Sequence, residues 1–128
     1  MNILYIHGFA SEYDPKSAKV ECLRKLGTVT GVTVDYTQGY DSVRAVILDA
    51  ILSNSIDLVV GTSMGGYMAS HVSAGIPFVA LNPSVSPSAS LSKYLGGFVD
   101  YSGKTGVLTD DAVSSYPDFS TTAVGLIL

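Results

Sequence analysis

The chain has 128 residues, 47% of them hydrophobic and 14% charged, which is a composition typical of one compact globular domain with a core of its own. A formal net charge of −4 with only seven Lys and Arg residues argues against a nucleic-acid-binding surface, which needs clustered positive charge. No apolar run reaches the roughly 18 residues that span a bilayer, so we expect no membrane association. The first residues carry no targeting signal and the single cysteine cannot form an internal disulfide, so we expect a cytoplasmic location.

Short β-rich apolar runs alternate along the chain with amphipathic stretches, a pattern typical of parallel βαβ units. In chain order, the pattern predicts a strand at 2–6, a helix at 15–26, a strand at 31–36, a helix at 41–53, a strand at 57–60, a helix from the turn at residue 63 to 74, a strand at 77–81, a short helix at 88–95, a polar connection or lid at 96–118 and a last strand at 122–128. The apolar spacing predicts which residues of the first two helices are buried. On the first helix they are Ala18, Cys22, Leu23 and Leu26, and on the second they are Val43, Val46, Ile47, Ala50 and Ile51. Asp41 or Ser42 can cap the start of the second helix.

The connections between these elements favour a three-layer α/β domain over residues 1–128. Right-handed crossovers that cover both faces of the sheet predict a mostly parallel, five-stranded sheet with the strand order 2-1-3-4-5. Open parallel sheets bind ligands beyond the carboxyl ends of the strands, at the point where the order reverses. For this order, that point lies between the first and third strands.

The pentapeptide Gly61-Thr62-Ser63-Met64-Gly65 comes directly after the third predicted strand and opens the third helix. In this context G-x-S-x-G is the pattern of a nucleophile elbow, so Ser63 is the candidate catalytic nucleophile. Glycines at 61 and 65 let neighbouring backbone pass without a Cβ, and the Met64 N–H is a candidate oxyanion donor. A phosphate-binding loop is disfavoured because the turn lacks the Lys-Ser/Thr ending of a P-loop.

A second signal, His7-Gly8-Phe9, follows the first predicted strand. A glycine at this place lets the loop curl, so that the Phe9 N–H faces the nucleophile and completes the oxyanion hole with Met64. His7 lies at the end of a strand beside the serine. We therefore expect it to order the loop rather than to act as the general base.

Four stretches resemble the YqiA-like small esterases, a bacterial branch of the α/β-hydrolase superfamily: ILYIHGF at 3–9, PKSAK at 15–19, GTSMGGY at 61–67, and LNPSVSP at 81–87 followed by YLG at 94–96. Together they span most of residues 2–97, and the N-P-x-V-x-P segment is the narrowest of them. The resemblance implies hydrolysis of short acyl esters without a metal or organic cofactor. It also implies that Ser63 is the nucleophile and that the backbone of Phe9 and Met64 forms the oxyanion hole.

The partners that would activate the serine are not evident in the sequence. The superfamily order is Ser, then Asp or Glu, then His, but His71 is predicted eight residues along the helix from Ser63, about 12 Å of axial rise away. Asp110, Asp111 and Asp118 precede the last strand, whereas the resembled family carries its acid after that strand. We therefore expect the chain to be shortened relative to a complete enzyme, and to hydrolyse a short-chain aryl ester near background until a C-terminal segment is added.

Two further readings stay open. A thioesterase or an acyltransferase would use the same serine and the same oxyanion hole. A non-catalytic or split scaffold could instead bind a ligand, or it could pair with a partner chain or with a second copy of itself through an exposed last strand. Tyr13 and Tyr67 are candidates to line an acyl pocket, and Cys22 is expected to be a small core residue.

Overall fold

The computed structural model describes residues 1–128. Its strands are β1 (Asn2–Ile6), β2 (Thr28–Val32), β3 (Leu58–Thr62), β4 (Phe78–Leu81), β5 (Phe98–Val99), β6 (Thr105–Gly106) and β7 (Gly125–Ile127). Its α-helices are α1 (Ala18–Arg24), α2 (Tyr40–Ser53), α3 (Met64–His71), α4 (Pro87–Ser92) and α5 (Asp110–Ser114), and a 3₁₀ turn spans Tyr36–Gln38. None of these helices has the length and apolar character needed to cross a bilayer.

Five of the strands form a parallel sheet in the order β2-β1-β3-β4-β7. This confirms the predicted order, with β7 as the last strand. The register pairs Ile6 of β1 with Gly61 of β3, so the carboxyl ends of these two strands stand level. The loop after β1 and the turn after β3 consequently open at the same edge of the sheet.

Alternate residues of β1 pack on opposite faces of the sheet, as the pleat of a strand requires. Leu4 and Ile6 join a core cluster of 21 buried residues, to which α2 and α3 contribute their apolar faces. Ile3 and Tyr5 join a cluster of 4 buried residues together with Val20 of α1. The fold is therefore three-layered, with the larger part of the core on the α2 and α3 side.

Two predicted segments differ from the structure. The second strand is Thr28–Val32 rather than 31–36, because the Asp35 carboxylate accepts a hydrogen bond from the Thr37 N–H and starts the 3₁₀ turn there. The predicted polar connection at 96–118 contains an antiparallel hairpin of β5 and β6, followed by α5. Asp100 closes the turn of that hairpin by accepting hydrogen bonds from backbone N–H groups.

The predicted buried faces of the first two helices are only partly right. On α1, Val20 is fully buried because it packs against Ile3, Tyr5 and Val60 of the sheet. Ala18 and Cys22 are exposed, and so is Leu26, which lies beyond the end of the helix. On α2, the buried residues are Val43, Ile47 and Ile51, whereas Val46 is exposed. Gly39, with a φ of 91°, precedes α2 in place of the predicted side-chain cap.

We expect Val20→Ala to lower the free energy of unfolding by about 1–3 kcal/mol, because it removes two buried methyl groups from the thin layer between α1 and the sheet. Cys22→Ala, on the exposed side of the same helix, should change it by no more than about 0.5 kcal/mol. Urea unfolding of the two variants beside the parent chain measures both values. A larger loss for Cys22→Ala than for Val20→Ala would show that α1 packs by the face that the sequence predicts.

Candidate active site

Ser63 occupies a strained turn between β3 and α3. Its φ of 54° and ψ of −118° lie where residues with a side chain are rarely found, and its side chain is exposed. Three backbone hydrogen bonds hold it there: its N–H donates to the Leu81 carbonyl at 3.0 Å, and its carbonyl accepts from Tyr67 at 3.0 Å and from Ser84 at 3.1 Å. The turn is thus fixed both by α3 and by the loop after β4.

The two glycines of the pentapeptide allow the backbones of β3, α3 and the end of β1 to pack in direct contact. A Cβ on Gly61 would stand 2.0 Å from the Gly65 carbonyl oxygen, and a Cβ on Gly65 would stand 2.0 Å from the Ile6 carbonyl oxygen. No side chain fits at either distance. The pattern G-x-S-x-G therefore reflects the close packing of α3 on β3 and on the end of β1.

This crossing brings the loop after β1 next to Ser63. A Cβ on Gly8 would lie 3.6 Å from the Ser63 Cβ, and the two segments share a cleft of about 570 Å³. The cleft is lined by Gly8, Phe9, Ala10, Ser63, Met64, Asn82, Pro83, Ser84, Ser90, Leu91, Lys93, Tyr94, Val99 and Tyr101. Met64 is the first residue of α3, so its N–H has no partner within the helix. Both predicted oxyanion donors thus belong to residues on the wall of the cleft that Ser63 faces.

His7 is buried and ties this loop to the segment after β2. Its Nε2 accepts a hydrogen bond from the Val34 N–H at 3.0 Å, so the ring carries its proton on Nδ1 and donates to the Gly8 carbonyl at 2.7 Å. The Tyr36 hydroxyl donates to the His7 carbonyl at 2.6 Å. Burial lowers the pKa of His7, which keeps the ring neutral. Both ring nitrogens are therefore engaged in holding the loop.

The β5–β6 hairpin, which the sequence did not reveal, covers the loop from the other side. The Tyr101 N–H donates to the carbonyl of Ala10 at 3.0 Å, and Ala10 itself has a φ of 57°. The Phe9 ring packs between Phe98 and Tyr94, with ring centroids 4.8 and 5.0 Å apart. The signal for this hairpin was the turn sequence D-Y-S-G, which directly follows the apolar pair Phe98–Val99.

The predicted pocket residues Tyr13 and Tyr67 lie outside the cleft. The Tyr13 ring covers Gly31 of β2, where an added Cβ would stand 2.1 Å from the ring. Tyr67 is completely buried, and its hydroxyl donates to the Pro117 carbonyl. Since α3 carries Tyr67 toward the core rather than toward the turn, neither tyrosine can shape a pocket at Ser63.

His71 and the aspartates after Ser63 also lie away from the cleft lining. The His71 Nε2 accepts from the Ser120 N–H at 3.2 Å, and its ring stacks on Tyr67 at 4.2 Å; burial lowers its pKa. Asp110 and Asp111 form the first turn of α5 and are exposed, as is Asp118. No group of three or more His, Cys, Asp or Glu residues is placed to hold a metal ion.

Two comparisons with known proteins bear on this geometry. A model of the uncharacterised protein family UPF0227 matches residues 2–122. A crystal structure from Xanthomonas campestris pv. campestris, provisionally assigned as a hydrolase of the alpha/beta superfamily, matches with a TM-score of 0.59 and 18% sequence identity, over 98% of this chain and 67% of that chain. At this identity the likeness is one of fold, and it agrees with the sheet order described above.

We expect Gly65→Ala to destabilise the chain by about 3 kcal/mol or more, or to prevent folding, because the new methyl group would overlap the Ile6 carbonyl. Gly8→Ala is the matched control: its methyl group would meet Thr62 and Ser63 at 3.5 and 3.6 Å, so its cost should stay within about 1 kcal/mol. Urea unfolding of both variants measures the difference. A Gly65→Ala chain as stable as Gly8→Ala would contradict the close crossing of α3 and β1.

The lowered pKa of His7 predicts that acid weakens the fold. Because the folded-state value lies below the ordinary 6.5, the unfolded chain binds more protons as the pH falls, and the free energy of unfolding should drop below about pH 6.5. Unfolding by urea between about pH 7.5 and 5 measures this. His71 shifts in the same direction, so the drop should persist in His71→Gln. A His7 ring that titrates above 6.5 by NMR would overturn the prediction.

Proposed function

The chain belongs to the uncharacterised protein family UPF0227, and we propose that it is a serine hydrolase that cleaves short acyl esters through an acyl-enzyme on Ser63. The observation that carries the proposal is the strained, exposed Ser63 facing the loop of Gly8 and Phe9 across one cleft. The motif resemblance to the YqiA-like small esterases and the fold likeness to an alpha/beta-superfamily protein support it. The cytoplasmic location belongs to the same proposal.

The proposed reaction has two steps. The Ser63 Oγ attacks the ester carbonyl carbon, its proton passes to a base, and the carbonyl electron pair moves to the oxygen, which accepts hydrogen bonds from the N–H groups of Phe9 and Met64. Collapse of this tetrahedral species breaks the bond to the alcohol, which leaves with a proton, and the acyl group stays on Ser63. Water then attacks the acyl-enzyme in the same way and releases the acid.

The rate of acyl-enzyme formation depends on a base that accepts the Ser63 proton. His7 uses both ring nitrogens to hold the loop, and the unprotonated nitrogen of His71 accepts from Ser120. Neither histidine lines the cleft at Ser63, so neither is placed to accept the Ser63 proton. In triad enzymes that lack a triad member, the oxyanion hole and binding still leave a residual acceleration of about 10³ to 10⁴ over water. We therefore expect slow, Ser63-dependent hydrolysis from the 128-residue chain.

A second candidate, a partner-binding scaffold, is favoured by one observation. The edge strand β7 pairs with β4 alone, and the apolar residues around it are exposed: Val124, Leu126, Ile127 and Leu128. Exposed strand edges with apolar side chains pair readily with another strand. Thioester hydrolysis and acyl transfer use the chemistry proposed above, and nothing in the cleft favours either over ester hydrolysis.

The proposed function predicts that a fluorophosphonate labels Ser63 slowly, and that added imidazole, acting as an external base, accelerates the labelling. Intact-mass analysis followed by peptide mapping measures the rate and the site. Ser63→Ala should take up no label. Ser53→Ala, which removes another exposed serine at the end of α2, is the control and should label like the parent chain. Equal labelling of Ser63→Ala and the parent chain would refute the nucleophile, and would favour the partner-binding scaffold.

A further inference from the structure

The cleft at Ser63 differs in charge from the rest of the molecule. The chain as a whole has a net charge of −4. Among the residues that line this cleft, however, Lys93 is the one charged side chain, and no carboxylate is present. The surrounding polar groups are amides and hydroxyls, contributed by Asn82, Ser84, Ser90 and Tyr101. Together with the main-chain donors near Ser63, the lysine gives this cleft a positive character.

A second cleft, of about 410 Å³, adjoins the first and has the opposite character. The two clefts share Phe9, Ala10 and Tyr101 as a common wall. The second contains three carboxylates and one lysine: Glu12, Asp35, Asp100 and Lys104. An anionic group that enters this region would therefore be repelled from the second cleft and attracted to the wall that carries Lys93.

Two packed rings, those of Tyr94 and Phe9, connect Lys93 with the proposed oxyanion loop. Its Nζ lies 5.2 Å from the centre of the Tyr94 ring, within the range of a cation–π contact. The Tyr94 ring in turn packs on Phe9 at 5.0 Å. Lys93 also follows the last residue of α4, where the carbonyl end of a helix favours a positive side chain. The Lys93 charge is thus separated by the Tyr94 ring from Phe9, the residue whose N–H is the proposed oxyanion donor.

From these observations we infer that the substrates of this site are esters that carry one anionic group, a carboxylate or a phosphate, which Lys93 binds at the wall of the cleft. The inference rests on the proposed function, because it names the substrate class for the same serine. A volume of about 570 Å³ is within the range of sites that hold small organic ligands, so the acyl group and the charged end fit together. Lys93 acts on specificity and takes no part in bond breaking.

Binding of stable amide analogues to the unmodified chain tests the inference without any turnover. One pair places the charge on the acyl side, succinanilic acid against the neutral butyranilide. A second pair places it on the alcohol side, 4-acetamidobenzoate against the neutral 4-acetamidotoluene. We expect the anionic member of at least one pair to bind about two- to fivefold more tightly, the range for an exposed charge pair, with NMR shifts at Phe9, Ala10 and Tyr94. The pair that shows the preference identifies the half of the ester that carries the charge.

Substitutions of Lys93 give the decisive control. The preference should vanish in Lys93→Gln, reverse in Lys93→Glu, and persist in Lys25→Gln, which changes an exposed lysine at the end of α1. It should also shrink at about 0.5 M salt, since exposed charges are screened. Equal affinity within both pairs, or a preference that survives Lys93→Gln, would overturn the inference. The fluorophosphonate experiment is independent of it, so loss of Ser63 labelling and loss of the anion preference are separate failures.

Discussion

The close crossing of α3 over the end of β1 is the contact on which the rest of this site depends. Gly65 approaches the Ile6 carbonyl so tightly that no Cβ fits between them, and Gly61 of β3 approaches the Gly65 carbonyl just as tightly. Because of this contact, the first N–H groups of α3 and the loop after β1 open into one cleft. A helix set one side chain further away would leave Ser63 and Phe9 on separate surfaces. The strain at Ser63 is held by the backbone hydrogen bonds that this packing allows.

Both histidines are used to hold the chain together. His7 joins the loop after β1 to the segment after β2, and His71 joins α3 to the segment that leads into β7. Burial lowers the pKa of each, so both rings are neutral acceptors for a backbone N–H near neutral pH. In hydrolases of this fold a histidine normally serves the nucleophile. Here both histidines of the 128 residues accept hydrogen bonds from the backbone and serve the fold.

The hairpin of β5 and β6 lies between two adjoining clefts of different charge. It packs Phe98 against Phe9 and bonds Tyr101 to the carbonyl of Ala10. One of the clefts holds Ser63 and Lys93, and the other holds the carboxylates. The different charges of the two clefts bear on the class of substrate that we propose. The serine does not distinguish substrates, because the same attack serves ester hydrolysis, thioester hydrolysis and acyl transfer.

The sequence alone was enough for the sheet order and for the strand-to-helix setting of Ser63, because both follow from local periodicity and from short motifs whose glycines meet a backbone constraint. Only the tertiary structure decided which face of α1 is buried and where β2 begins. It also decided that Tyr13 and Tyr67 lie outside the cleft, and that a hairpin lies between this cleft and a second one. These features depend on contacts between residues far apart in the chain, such as Tyr101 with Ala10, which no local pattern records. The charge of the cleft belongs with them, since tertiary packing rather than any motif brings Lys93 and Ser63 into the lining of one cleft.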